Sequence, residues 1–269
     1  MIRLGILGIG NMGEAILRGV LKADVLPAKE ITIFDLNTTK LHALQSELDV
    51  LIALDMQTLF QQSDLILLAV KPNVCESIFA QHFALFDSKA VISIIAGWSR
   101  EKLASCLPES TRILRVMPNT PAMVGEGMIV LEQGDTLSEA EHQFAESLLS
   151  AVGKLSSVSP KLMDAVTAVS GSGPAYVYMM IEAMGDGGVQ AGLPRSIAYQ
   201  LAAQTVLGSA KMVLETGIHP GELKDRVCSP GGTTIDAVAA LEKDGFRYSV
   251  MDAVHVCCEK SAQMSKTNK

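Results

Sequence analysis

As far as about residue 160 the chain alternates short apolar runs with stretches whose apolar residues recur every three or four positions. The runs Ile2–Leu7, Glu30–Phe34, Asp64–Val70, Ala90–Ile95, Ile113–Met117 and Met128–Leu131 are too short for ordinary helices and read as strands. Helical spacing marks Met12–Leu21, Thr38–Leu48, Arg100–Cys106 and Ser138–Ala151, the last ending at a cap on Gly153. Strands alternating with helices predict an α/β domain, with a doubly wound, mainly parallel sheet and crossover helices. Pro27, Pro72, Pro108, Pro118 and Pro121 fall at the boundaries, where a missing N–H can be accommodated.

After Pro160 the strand pattern stops. Long helical stretches follow at Pro174–Gly188, Pro194–Glu215 and Thr233–Lys243, with a last one from about Tyr248. Pro174 and Pro194 suit a first helical turn. Ala198, Ala202, Ala203, Gly208, Ser209 and Ala210 give the second of these helices a lining that allows close helix approach. The expected division is a dinucleotide-binding domain over residues 1–160 and an all-helical domain over 161–269 with a large subunit interface. Ala165–Ile181 and Ser196–Ala210 carry no charge. The first is broken by Gly-Ser-Gly-Pro and the second is short for a bilayer, so both read as helices buried in an interface and not in a membrane.

Composition narrows the functional classes. With 48% hydrophobic and 19% charged residues, the 269-residue chain is a folded globular protein. A net charge of −7 argues against nucleic acid or an anionic membrane as the partner. The cysteines are five, an odd number, and form no CxxC pair, so neither a disulfide framework nor a zinc site is indicated. His255, Cys257 and Cys258 read as one helix with small buried side chains, and no metal is expected. The opening Ile2–Gly8 runs straight into a strand without a signal-peptide pattern, which with the cysteine usage points to the cytoplasm.

Two glycine-rich turns carry the candidate chemistry. Gly8-Ile9-Gly10-Asn11-Met12-Gly13 follows the first strand and opens a helix, the context in which GxGxxG lets a pyrophosphate approach a helix N-terminus. Asp35 ends the second strand, where an acidic group hydrogen-bonds the adenosine ribose of NADH and repels the 2′-phosphate of NADPH. No arginine follows it, although Thr38, Thr39 and Lys40 could cradle a phosphate; a solvated surface aspartate is the plainer alternative. Ala69-Val70-Lys71-Pro72, Ile95-Ala96-Gly97 and Met117-Pro118-Asn119 occupy the carboxyl ends of later strands, where doubly wound sheets collect ligands.

The second turn, Ser229-Pro230-Gly231-Gly232-Thr233-Thr234, leads into a helix. Its first N–H groups suit a small carboxylate and its hydroxyls suit hydrogen bonding, while Thr233 and Thr234 serve equally well as ordinary helix caps. A dinucleotide turn and a small-acid turn together suggest a two-substrate enzyme.

These residues resemble the pyrroline-5-carboxylate reductase family over nearly the whole chain. The likeness rests on Gly8–Gly13, Ala69–Pro72, Met117–Asn119, Ser170-Gly171-Ser172-Gly173-Pro174-Ala175-Tyr176 and Asp225 through Leu241. It implies a Rossmann-type domain followed by a helical dimerisation and substrate-binding domain, as a homodimer that in such families commonly builds decamers. The reaction it implies is reduction of 1-pyrroline-5-carboxylate to L-proline by NADPH or NADH. By the resemblance, Leu7, Gly8, Ile9, Gly10, Asn11, Met12, Ala69, Val70, Lys71, Pro72, Ala96 and Gly97 contact the cofactor. Val227, Ser229, Gly232, Thr233 and Thr234 hold the substrate, and Thr234 matches the proposed proton donor to the ring nitrogen. Relatives often carry Asn near Asp55-Met56, where this chain has Met56, and acidic residues where it has Pro160-Lys161.

Two other functions share parts of this pattern. A β-hydroxyacid dehydrogenase would need a catalytic lysine on a helix of the second domain, where the long helices carry Lys211 near an end. A nucleotide-binding regulator would bind cofactor without turnover.

Overall fold

The computed structural model describes residues 2–267. The chain divides into two compact units, one formed by Met1–Ser172 with Cys257–Lys269 and the other by Gly173–Val256.

In the first unit the order is β1 (Leu4–Leu7), α1 (Asn11–Lys22), β2 (Ile31–Phe34), α2 (Thr38–Leu48), β3 (Leu51–Ile52), α3 (Met56–Gln62) and β4 (Leu65–Leu68). It continues with α4 (Cys75–His82), β5 (Ala90–Ser93), α5 (Arg100–Cys106), β6 (Arg112–Met117), β7 (Gly127–Glu132), α6 (Glu139–Ser150), β8 (Gly153–Val158) and α7 (Met163–Val166). Among the described residues the strands form one sheet in the order β3-β2-β1-β4-β5-β6-β7-β8. Strands β1 to β6 run parallel to one another, β7 is antiparallel to β6, and β8 is parallel to β7.

The central strands are unbroken apolar runs because both faces of the sheet are covered. All of Leu4–Leu7 and Leu65–Leu68 are buried. One core cluster joins Ile6 and Ile33 to Ile16, Leu17 and Val20 of α1 and to Leu148 of α6. The other joins Leu7 and Leu68 to an aromatic group of Phe60, Phe79, Phe86 and Trp98. Phe79 meets Trp98 edge-on at 5.3 Å and Phe60 meets Phe86 at 4.7 Å between ring centroids.

Two strands depart from the sequence reading. β3 has only two paired residues, too few to leave a periodic signal. β8 was not expected, and Gly153 is not a helix cap. Helix α6 ends at Ala151 in right-handed geometry, and Gly153 is the first residue of β8. A Cβ on Gly153 would overlap the carbonyl oxygen of Gly127, so close pairing of β7 with β8 accounts for the glycine. The short helices α3 and α4 also went unread. Asp55 starts α3 by accepting from the Thr58 N–H at 2.7 Å.

In the second unit α8 (Gly173–Gln190), α9 (Arg195–Thr216), α10 (Pro220–Val227) and α11 (Thr233–Lys243) precede α12 (Phe246–Thr267), whose residues from Cys257 onward belong to the first unit. Helices α8 and α9 approach closely through small residues: a Cβ on Gly185 would come within 2.6 Å of the Tyr199 ring. The residues buried in this unit are Gly185, Ala198 and Ala202, while Met179, Leu201, Leu207, Met212 and Leu214 are exposed. A helical unit with its large apolar side chains outside and only small ones inside needs another surface to cover them. Helix α10 is the element the sequence reading missed, and His219 starts it by accepting from the Gly221 N–H. Among the described residues no helix is long and apolar enough to cross a membrane.

Candidate active site

The chain order reverses between β1 and β4. The path runs outward from β1 through β2 to β3, then returns to β4 and runs the other way. Parallel register brings Leu7, Phe34, Leu68 and Ser93 to the same edge. The residues that follow them therefore flank a crevice at a topological switch point, the place where such sheets bind nucleotides.

Gly8 leaves β1 at φ +98° and donates its N–H to the Phe34 carbonyl at 2.8 Å. A Cβ there would stand 2.7 Å from the Ala69 carbonyl oxygen and 3.0 Å from Val70 Cγ1. The glycine turn and the Ala69-Val70 segment are thus in direct contact. Gly13 is held as closely: its Cβ would overlap the Gly8 carbonyl oxygen. Gly10 differs from both. Nothing lies within 4 Å of its Cβ position, and it starts α1 without a side-chain cap. That open backbone, beside uncapped N–H groups of a twelve-residue helix, fits the pyrophosphate of a dinucleotide.

The other expected contacts are of unequal kind. Leu7 and Ile9 are buried in the core, so only their backbone can meet a ligand. Asn11, Lys71, Pro72 and Ala96 are exposed, and Met12, Ala69, Val70 and Gly97 are half-buried. Gly97 turns the chain after β5 at φ +73°, with Met264 Cε of α12 at 3.5 Å from its Cβ position. Met56, where relatives often have Asn, is buried in the aromatic cluster. Cys75 follows Lys71 and is also buried, which pushes its thiol up to about 12 and leaves no thiolate at neutral pH.

Asp35 is not a loose surface carboxylate. Its Oδ2 accepts from the Ile9 N–H at 2.7 Å and its Oδ1 from the Asn37 N–H at 2.9 Å. Lys40, a candidate phosphate ligand from sequence, lies 2.7 Å from Glu14 Oε2 of α1. Glu14 also takes Arg18 at 2.7 Å. Hydrogen bonding from Lys40 first, and then from Arg18, holds its carboxyl below the usual range.

Asn119 has a role that the sequence reading did not find. It is nearly buried after β6, accepts from the Met128 N–H at 2.8 Å, and donates to the Ser170 carbonyl at 3.0 Å. An asparagine between two prolines directly after a strand was the available signal. The Ser170 turn is a π-type turn over Thr167–Gly171, and Cys257 of α12 donates to Ser172 Oγ at 3.2 Å.

The expected substrate residues belong to the second unit. Val227 ends α10 and is exposed, as is Ser229. The Ser229 carbonyl accepts from the Gly232 N–H at 3.0 Å, closing the turn. Gly232 is the cap of α11 and Thr233 and Thr234 are its first two residues. No side chain caps this end. The threonines are therefore not the N-cap, the alternative left open by sequence, and Thr234 is half-buried while Thr233 is exposed.

Comparison with known proteins decides between the readings. The family model described as pyrroline-5-carboxylate reductase dimerisation matches residues 160–264, and that described as NADP oxidoreductase, coenzyme F420-dependent, matches residues 3–97. A pyrroline-5-carboxylate reductase of Synechocystis is 44% identical over 98% of this chain and 99% of its own. The Escherichia coli protein of that name is 41% identical over 98% and 99%. The chain belongs to the pyrroline-5-carboxylate reductase family. It is an NAD(P)H-dependent oxidoreductase with a dimerisation domain. In this family the fold is retained at lower identity. A crystal structure of Plasmodium falciparum pyrroline carboxylate reductase, with NADP bound, superposes with a TM-score of 0.87 at 34% identity, covering 98% of each chain.

Proposed function

We propose that this chain reduces 1-pyrroline-5-carboxylate to L-proline, the last step of proline biosynthesis, with residues 1–160 binding the dinucleotide and 161–269 dimerising and holding the substrate. The observation that carries the substrate half is the uncapped start of α11 with Thr233 and Thr234 as its first residues. Its unpaired N–H groups and the positive end of the helix suit the substrate carboxylate, an interaction worth about 0.3–1 kcal/mol when exposed and more when enclosed. Ser229 and Gly232 shape the turn that presents those groups, and Val227 offers an apolar side chain next to it.

When bound, the reduced nicotinamide supplies the hydride that adds to C5 as the C=N π pair moves onto the ring nitrogen, giving L-proline and NAD(P)+. The chain has to hold the two reactants in line and keep a proton at that nitrogen. Thr234 is the proton donor or relay. A hydroxyl suffices because the imine nitrogen is basic, and no histidine stands in the matched motifs. Gly8, Gly10 and Gly13 seat the pyrophosphate, while Ala69–Pro72, Ala96 and Gly97 bound the nicotinamide half.

The exposed apolar faces of α8 and α9 form the dimer, and dimers assemble further into a decamer in the cytoplasm. The test is to supply synthetic 1-pyrroline-5-carboxylate with reduced nicotinamide and identify the product. Stoichiometric L-proline and oxidised cofactor are expected. A folded, nucleotide-binding protein that forms no proline would point to the regulator.

A further inference from the structure

Asp35 and Lys40 stand on either side of the position where NADH and NADPH differ. The two cofactors are distinguished by a phosphate on the adenosine 2′-oxygen, which adds about two negative charges. Asp35 presents a carboxylate at the end of β2, next to that crevice, and both of its oxygens are already fixed by the Ile9 and Asn37 N–H groups. It cannot swing away from an incoming anion without releasing the glycine turn. Asn37 in turn accepts from the Lys40 N–H at 3.0 Å to cap α2, so the first turn of that helix has spent one of its donors.

The cations that could offset a phosphate are committed elsewhere. Lys40 pairs with Glu14 at 2.7 Å, and Arg18 lies between Glu14 at 2.7 Å and Glu47 at 2.6 Å. The segment Asp35-Leu36-Asn37-Thr38-Thr39-Lys40 contains no arginine. Beside Asp35 the exposed residues are Leu36, Asn37, Thr38 and Thr39, with Leu54 just beyond the adjoining β3, and none of them carries a positive charge. Leu36 and Leu54 suit an adenine ring, while the neutral hydroxyls of Thr38 and Thr39 offer a 2′-phosphate hydrogen bonds but no counter-charge.

We propose that Asp35, locked onto the glycine turn, and Glu14, holding Lys40 aside, make this chain select NADH over NADPH. This rests on the dinucleotide reading above. A 2′-hydroxyl can donate to Asp35, whereas a 2′-phosphate meets a fixed like charge and no available counter-charge.

The experiment is an equilibrium titration of the full-length protein with NADH and with NADPH, followed by nucleotide fluorescence without substrate. NADH is expected to bind roughly tenfold more tightly or better. Asp35→Asn keeps an acceptor for the turn and removes the charge, and narrows the ratio mainly by tightening NADPH. Glu14→Gln removes the charge that holds Lys40 and releases it, so it tightens NADPH several-fold and leaves NADH nearly unchanged. Equal or tighter NADPH binding by the wild type, or a ratio that neither substitution moves, overturns the proposal. If neither nucleotide binds to a protein that still unfolds cooperatively, the dinucleotide reading fails and takes this inference with it.

Discussion

Asn119 fastens the end of β6 to the turn before α8 by donating from Nδ2 to the Ser170 carbonyl at 3.0 Å. The same side chain accepts from Met128 at the start of β7. One nearly buried amide therefore sets three backbone segments of the first unit, including the π-type turn in which the Ser-Gly-Ser-Gly-Pro motif begins.

Asn119→Ala leaves a backbone N–H and a carbonyl without their partner, and each such group costs about 1–3 kcal/mol when buried. A loss of about 2 kcal/mol in urea unfolding is expected, with no change in the slope of the transition. Wild-type stability in this variant would mean that the amide is replaceable by water.

The glycines of the first turn separate fold from binding. Gly13→Ala forces a Cβ onto the Gly8 carbonyl and is expected to lower Tm and cofactor affinity together. Gly10→Val places its side chain in open space and is expected to leave Tm nearly unchanged while weakening NADH binding. Thermal unfolding alongside nucleotide titration distinguishes the two.

Legibility in the sequence followed burial. Central strands β1 and β4 are covered on both faces and appear as unbroken apolar runs, so they were read directly. β8 has the polar sequence GKLSSV at the sheet edge, and its glycine reads as a helix stop because the close contact with Gly127 is not a sequence property. Among site residues, the GxGxxG turn and the start of α11 were legible from glycine spacing. The ties of Asp35 to Ile9, of Lys40 to Glu14 and of Asn119 to Ser170 were not, since each joins residues that only the fold brings together.

Arg112 and Glu141 give stability a definite pH dependence. The guanidinium holds the Glu141 carboxyl at about 2, well below the usual carboxylate range, through hydrogen bonds of 2.7 and 2.9 Å. A carboxyl depressed in the folded state stabilises fully above its unfolded value of about 4.3 and loses that contribution as pH falls towards 2. Partial exposure of the pair limits the effect to on the order of 1–2 kcal/mol. Glu141→Gln keeps a capping partner for Ser138 and should flatten the fall in urea midpoint between about pH 5 and pH 2.5 relative to wild type.

The proposed dimer contact of the helical unit can be tested on α9. Leu207 of α9 is 57% exposed in the single chain. Leu207→Asp places a charge on the exposed face of α9 proposed above as the dimer contact, and is expected to yield smaller species by light scattering, with a lower Tm. An unchanged mass would remove this part of α9 from the interface.

The most direct test is steady-state and binding measurement on Thr234→Ala with 1-pyrroline-5-carboxylate and NADH. The wild type is expected to form L-proline, and the variant to keep its cofactor affinity and lose roughly 100-fold or more in kcat, the usual contribution of a positioned proton donor. A Thr234→Ala enzyme that turns over at the wild-type rate would contradict this expectation and reduce Thr234 to a residue of the helix start.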